Sequence, residues 1–169
     1  MLEETVATYL AVASVVRTPE GVAIPTADGL VLDTALMTCL LLGEQLVHGL
    51  DIARAAHPPW SIFGDDALLV IPAMLSLAPQ YLRSSRTENL RISFEIRARS
   101  GRRYRMVITN GTAVVTAAGE KADCVITADP VAFLLLGLGR VPQLLRGKLP
   151  AGGRKPWLAA KFGTLLASP

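Results

Sequence analysis

Glu44 and His48 stand four residues apart within Leu41–Ala56, which reads LLGEQLVHGLDIARAA. On a helix that spacing puts both side chains on one face, on successive turns. A carboxylate and an imidazole placed so can converge on one point, as a metal ion requires. Asp51 lies three residues further on, near the same stripe, and is expected to support the pair rather than to react. Leu42, Leu46, Val47, Leu50 and Ala53 fill most of the remaining helix surface, so the polar stripe is expected between buried flanks. A buried carboxylate must be paired, protonated or ligated. The same residues also suit a water-facing helix, with Glu44–His48 or Asp51–Arg54 as surface ion pairs. E-x-x-x-H involves two residues and arises often by chance, so on spacing alone both readings stand.

A second group is apolar. Phe133, Leu134, Leu145, Trp157 and Phe162 lie in the last third of the chain. They are candidates to line a cavity for an apolar ligand, or to form ordinary core.

The elements that must position these groups fall into two halves. Leu2–Val16 carries a helical period through Val6, Leu10, Ala13 and Val16, and Arg17–Gly29, with Pro19, Gly21, Pro25 and Gly29, is a loop. Leu30–Ala56 is predicted to be a long helix capped by Asp28 or Asp33 and ended by Pro58–Pro59. His57 then falls at its exposed C-terminal end. Asp65–Leu82 is a second helix, which Pro72 is expected to kink or split. Ser84–Glu88 is the expected linker.

After Asn89 the period changes to two. Leu90, Ile92, Phe94 and Ile96 alternate with Arg91, Ser93, Glu95 and Arg97, an amphipathic strand. A turn at Ser100–Gly101, a strand through Tyr104, Met106 and Ile108, a hairpin at Asn110–Gly111, a strand at Thr112–Thr116 and another at Asp123–Thr127 continue the pattern. Asp129 and Pro130 are the cap and first residue of a helix through Leu138. Pro142–Arg146 continues helical, Gly147–Lys155 is loop, and Pro156–Leu166 is a last helix with Trp157, Ala160 and Leu165 inward. Strands followed by helices predict an α+β fold.

Composition narrows the function classes. Of 169 residues, 51% are hydrophobic, ample for a core. Cys39 and Cys124 have no C-x-x-C partner, and the acidic start MLEET is unlike a secretory signal. The apolar run Leu68–Ala78 is too short to span a bilayer. These features predict a cytoplasmic protein without a membrane span. Up to Ser85 there are three basic and nine acidic residues, a balance of −6; from Arg86 there are fourteen and five, a balance of +9. The break predicts a boundary between regions 1–84 and 85–169. The aromatics of the basic half do not interleave with its arginines, which argues against nucleic acid as a partner.

Two stretches carry family resemblances. E-x-L-V-H-G-x-D-I-A-R-A, from Glu44 to Ala55, resembles the last helix of the DinB-like, mycothiol-dependent maleylpyruvate isomerase family. The resemblance implies a partial DinB-like helical bundle over 1–84. It makes Glu44 and His48 ligands of a divalent metal, usually zinc, and mycothiol the thiol cofactor of an isomerase or transferase. A-D-C-V-I-T-A-D-P-x-x-F-L-x-L-x-x-G, from Ala122 to Gly139, resembles the sterol-carrier-protein-2-like fold. It implies an antiparallel sheet covered by helices over 85–169, with an apolar cavity for a lipid or similar small molecule. Arg154–Trp157, R-K-P-W, is similar to actinobacterial members, and the two modules occur together in the isomerase family. The chain departs from the first family in one respect. Its only histidines are His48 and His57, so the family's third ligand, a His on an early helix, is missing. Truncation, loss of catalysis, or completion of the site by Asp51, Asp33 or a second subunit remain open. A shortened bundle would also leave an apolar patch for a homodimer to cover.

Overall fold

Strand alternation shapes the larger part of the molecule, seen in a computed structural model that describes residues 7–8, 11, 24–25, 31–140 and 150–166. Five strands form one sheet: β3 (Arg91–Ala98), β4 (Arg103–Thr109), β5 (Thr112–Ala117), β6 (Cys124–Ala128) and β7 (Ala151–Gly152), in the order β5-β4-β3-β6-β7. Two short strands, β1 (Ile24–Pro25) and β2 (Val31–Leu32), pair separately. The β4–β5 hairpin turns at Asn110 and Gly111, whose φ values of 48° and 80° are those of the primed turn that matches strand twist.

The sheet is mixed, not antiparallel as expected. β3 runs parallel to β6, with Phe94 beside Cys124 and Ala98 beside Ala128, while its other neighbour β4 is antiparallel. Alternation fixes which side chains share a face, but it carries no information about which strand lies next door. β7 falls inside the stretch expected to be loop; two residues are too few to show a period.

The helices follow their local signals with some shifts. α1 spans Thr34–Ala56, starting later than expected because Asp33 caps it, Oδ1 accepting from Leu36 N at 2.6 Å. α2 spans Gly64–Leu77 without a break at Pro72. Pro72 is exposed while Ile71 and Leu75 beside it are buried, so packing offsets the one lost hydrogen bond. A 3-10 turn, Ala78–Tyr81, carries the chain out of α2. The expected linker is instead a packed helical turn, α3 (Ser84–Thr87). Thr87 is fully buried, its hydroxyl donates to Arg83 O at 2.9 Å, and Gly111 N donates to Thr87 O. α4 (Pro130–Gly137) is capped as expected by Asp129, which accepts from Val131 N and Ala132 N. The C-terminal segment opens with a 3-10 turn, Pro156–Leu158, before α5 (Ala159–Leu165). That tighter turn shifts the helix phase: Ala159, Phe162 and Leu165 face inward, whereas Trp157 and Ala160 are exposed.

The chain divides into two units, Met1–Thr38 and Cys39–Pro169. In the first, Ala7, Thr8 and Ala11 are helical and exposed; the rest of the expected Leu2–Val16 helix lies outside the described residues, as does Pro142–Arg146 in the second. The core of the second unit sits on one face of the sheet. Ile92, Phe94, Ile96, Met106, Ile108 and Ile126 meet Ile71 and Leu75 of α2, Phe133 of α4 and Phe162 of α5. The charge break at residue 85 thus falls inside a unit whose core draws on both sides of it.

Candidate functional site

α1 brings Glu44 and His48 together. His48 Nε2 lies 3.0 Å from Glu44 Oε2, and the two side chains are 61% and 58% exposed. The buried residues of α1, Gly43, Leu46, Val47 and Ala53, lie away from this pair; Gly43 is so close to the Val70 side chain that a Cβ would sit 2.8 Å from it. Asp51 is engaged elsewhere, its Oδ2 accepting from Arg140 Nε at 2.8 Å. Among the described residues no three His, Cys, Asp or Glu side chains gather as a metal site would need. Two exposed, mutually bonded donors do not make up the three-ligand set of a catalytic zinc. Among the described residues, α1 is also the one helix long and apolar enough to cross a bilayer; Glu44, Asp51 and Arg54 lie along it.

The apolar candidates separate. Phe133 and Phe162 are buried in the core against the sheet, where Phe162 meets Phe94 edge to face at 5.0 Å between ring centroids. Leu134, fully buried, belongs to a second cluster with Leu46 of α1 and Ala67 and Val70 of α2. Successive helix residues point about 100° apart, so Phe133 and Leu134 serve different neighbours. Trp157 is 65% exposed. Leu145 lies outside the described residues. Both cysteines are free, and burial pushes the Cys124 thiol above its ordinary pKa.

The polar groups with the most partners lie on the other side of the sheet, and spacing gave no hint of them. Asp123, just before β6, accepts at Oδ2 from Ser93 N and Ser93 Oγ, each at 3.0 Å. Its Oδ1 meets Lys155 Nζ at 3.1 Å and Arg154 Nη2 at 3.3 Å. Burial alone would raise its pKa, but Lys155 and Ser93 outweigh that and hold the carboxyl below its ordinary value. Glu95, at the centre of β3, is 8% exposed and roofed by arginines: Arg97 Nε at 2.7 Å and Arg103 Nη1 at 3.7 Å. The hydrogen bond to Glu95 raises the Arg97 pKa further, so that guanidinium is always charged. Beside Arg97 a groove of about 500 Å³ opens over Val125, Thr127 and Gly152.

No family model matches the chain. No curated protein matches it in sequence. Solved structures do align with it, all at low identity. The inverting sec-alkylsulfatase Pisa1 from Pseudomonas sp. aligns over 82% of this chain and 30% of its own, at 11% identity and a TM-score of 0.45. A double mutant of the same sulfatase aligns at 15% identity and a TM-score of 0.49, and the chain spans 19% of its length. A UbiJ-SCP2 ubiquinone synthesis protein aligns over 57% of this chain and 92% of its own, at 20% identity and a TM-score of 0.44. Sterol carrier protein 2 from Yarrowia lipolytica, in its apo form, aligns over 62% and 92%, at 18% identity and a TM-score of 0.39.

Proposed function

We propose that the unit Cys39–Pro169 is a cytoplasmic, sterol-carrier-like module that binds an apolar small molecule between its helices and its sheet. The observation that carries this reading is the roofed sheet: α2, α4 and α5 cover one apolar face, and Phe133 of α4 and Phe162 of α5 are buried in the core between them and the strands. The motif from Ala122 to Gly139 supports it, since Asp129 caps α4 and so holds Phe133 over the strands. An apolar ligand held there would replace side-chain contacts with its own, gaining roughly 25 cal/mol for each Å² it removes from water.

The test is native mass spectrometry of the purified full chain, followed by titration with a fluorescent fatty acid and a fluorescent sterol. The expected result is a co-purifying apolar ligand, saturable one-to-one binding of one probe, and weaker binding in Phe133→Ala with the far-ultraviolet spectrum retained. No saturable binding of either probe and no retained ligand would overturn the reading.

A metal- and mycothiol-dependent isomerase is the second reading, favoured by the contact between Glu44 and His48 alone. It needs at least one further ligand, from a second subunit or from outside the described residues. Zinc analysis of the purified chain decides it: less than one zinc per chain, or zinc unaffected by His48→Ala, removes this reading.

A further inference from the structure

The face of the sheet turned away from the helices has its own chemistry. Register places Glu95 beside Arg105 on β4 and Val125 on β6, and Arg97 beside Arg103 and Thr127. Arg91 lies on the same face of β3 by alternation, and Arg154 and Lys155 close over Asp123 at its margin. These six cations meet three carboxylates, Glu95, Asp123 and Glu120, which leaves a surplus of three positive charges. Val107 and Val114 share the face, Val114 at 56% exposure.

We propose that this open face docks an acidic amphipathic helix of a partner protein. The guanidiniums are aimed before the partner arrives. Glu95 holds Arg97 by its Nε, which leaves the outer nitrogens for a second carboxylate. Arg103 is 65% exposed and only loosely held, at 3.7 Å from Glu95. Arg105 Nη1 is occupied by Glu120, itself 80% exposed, a pairing that water already weakens and an incoming carboxylate can replace. Arg97, held in this way, loses little entropy on binding. The valines between the arginines offer apolar contact to a helix that alternates carboxylates with leucines. Nucleic acid fits less well. The ring-bearing side chains of β3 and β4, Phe94 and Tyr104, lie on the opposite face by register, so these two strands offer bases no stacking surface. Carboxylates also interrupt the row of cations that a phosphate chain would follow.

The probe is a fluorescein-labelled 18-residue helical peptide with glutamates and leucines at positions i, i+3 and i+4, read by fluorescence anisotropy on the full chain. Its lysine-for-glutamate counterpart and a 20-nucleotide oligothymidylate are the comparisons. The acidic peptide is expected to bind, losing about tenfold in affinity between 50 and 300 mM salt, with neither comparison binding as tightly. Arg103→Glu and Val114→Glu are each expected to weaken it at least fivefold. Val114→Glu leaves the arginine–carboxylate pairs in place, and its melting curve reports whether the sheet is intact. Lys161→Glu, at an exposed position of α5 on the helical side of the sheet, is expected to change nothing. No binding of the acidic peptide, tighter binding of the oligothymidylate, or equal weakening by Lys161→Glu would each overturn the proposal.

Discussion

Replacing Asp123 by Asn tests whether the junction between β3, β6 and the β7 margin is held by charge. The carboxylate takes two donors from Ser93 and two from cations, while its own backbone accepts from Lys155 N at 2.8 Å. Its side chain is 14% exposed, whereas Arg154 and Lys155 are 75% and 47% exposed. Hydrogen bonds to a charged group contribute about 1.5–3 kcal/mol, and pairs with exposed cations about 0–1 kcal/mol. Asn can keep one oxygen toward Ser93 N, but its amide then faces the Lys155 and Arg154 donors. The expected loss is about 2 kcal/mol, or a fall in Tm of about 4–8 °C. The pH dependence separates charge from shape. The folded pKa is depressed, so the stabilisation is fully present above the unfolded value of about 3.9 and is lost as pH falls through the folded one. The gap between wild type and Asp123→Asn should therefore stay constant from about pH 5 to 8 and close below about pH 4. Urea denaturation followed by circular dichroism at several pH values measures it. A gap as large at pH 3 as at pH 7, or none at pH 7, would refute the reasoning.

Other substitutions probe the remaining packing. His48→Ala removes an exposed pair and is expected to change stability by no more than about 0.5 kcal/mol in urea. Gly49→Ala would drive a methyl group into the Trp60 ring, so Trp60 emission should shift to the red although alanine favours helix by about 1 kcal/mol; unchanged emission would show that the ring does not rest there. Leu134→Ala empties the cluster of Leu46, Ala67 and Val70 and is expected to cost about 2–5 kcal/mol by chemical denaturation. Gly111→Ala puts a side chain at φ 80° and is expected to cost about 1 kcal/mol, with the hairpin otherwise retained.

What could be read in the sequence was what neighbouring residues decide among themselves. Asp129 before Pro130 marks a helix start because the side chain reaches donors two and three residues on. Asn110–Gly111 marks the hairpin because both residues tolerate positive φ. The alternation from Arg91 to Arg97 separates the two faces of β3. The parallel pairing of β3 with β6 was not legible, since it joins segments some thirty residues apart, as the Ser93–Asp123 bonds also do. The Glu44–His48 contact was legible from spacing. Its exposure was not, because that depends on which stripe of α1 meets α2, and Gly43 against Val70 decides it. Phe133 and Leu134 looked like one apolar patch in the sequence, yet helix geometry sends them to separate clusters.

The uneven charge of the chain takes on a different meaning once the strands are placed. In β3, every second residue from Ile92 to Ala98 is committed to the helices, so the polar members of the strand can occupy only the opposite face. The arginines of β4 add to the same side, because antiparallel partners share a face. Three of the nine surplus positive charges after residue 85 thus lie on the outer face of one sheet and its margin. A solvated face needs no buried carboxylate, and enclosing Glu95 would cost free energy without its arginines. Its burial fixes Arg97, whose Nε donates at 2.7 Å, while Arg103 stands loosely at 3.7 Å; pairs so exposed on the arginine side add little stability, and in the proposed docking their role is to present guanidiniums to a partner's carboxylates. If that is their role, Glu95→Gln should change the melting temperature little while reducing the affinity of this face for carboxylates. A large fall in Tm with affinity unchanged in the folded protein would instead make Glu95 a structural group.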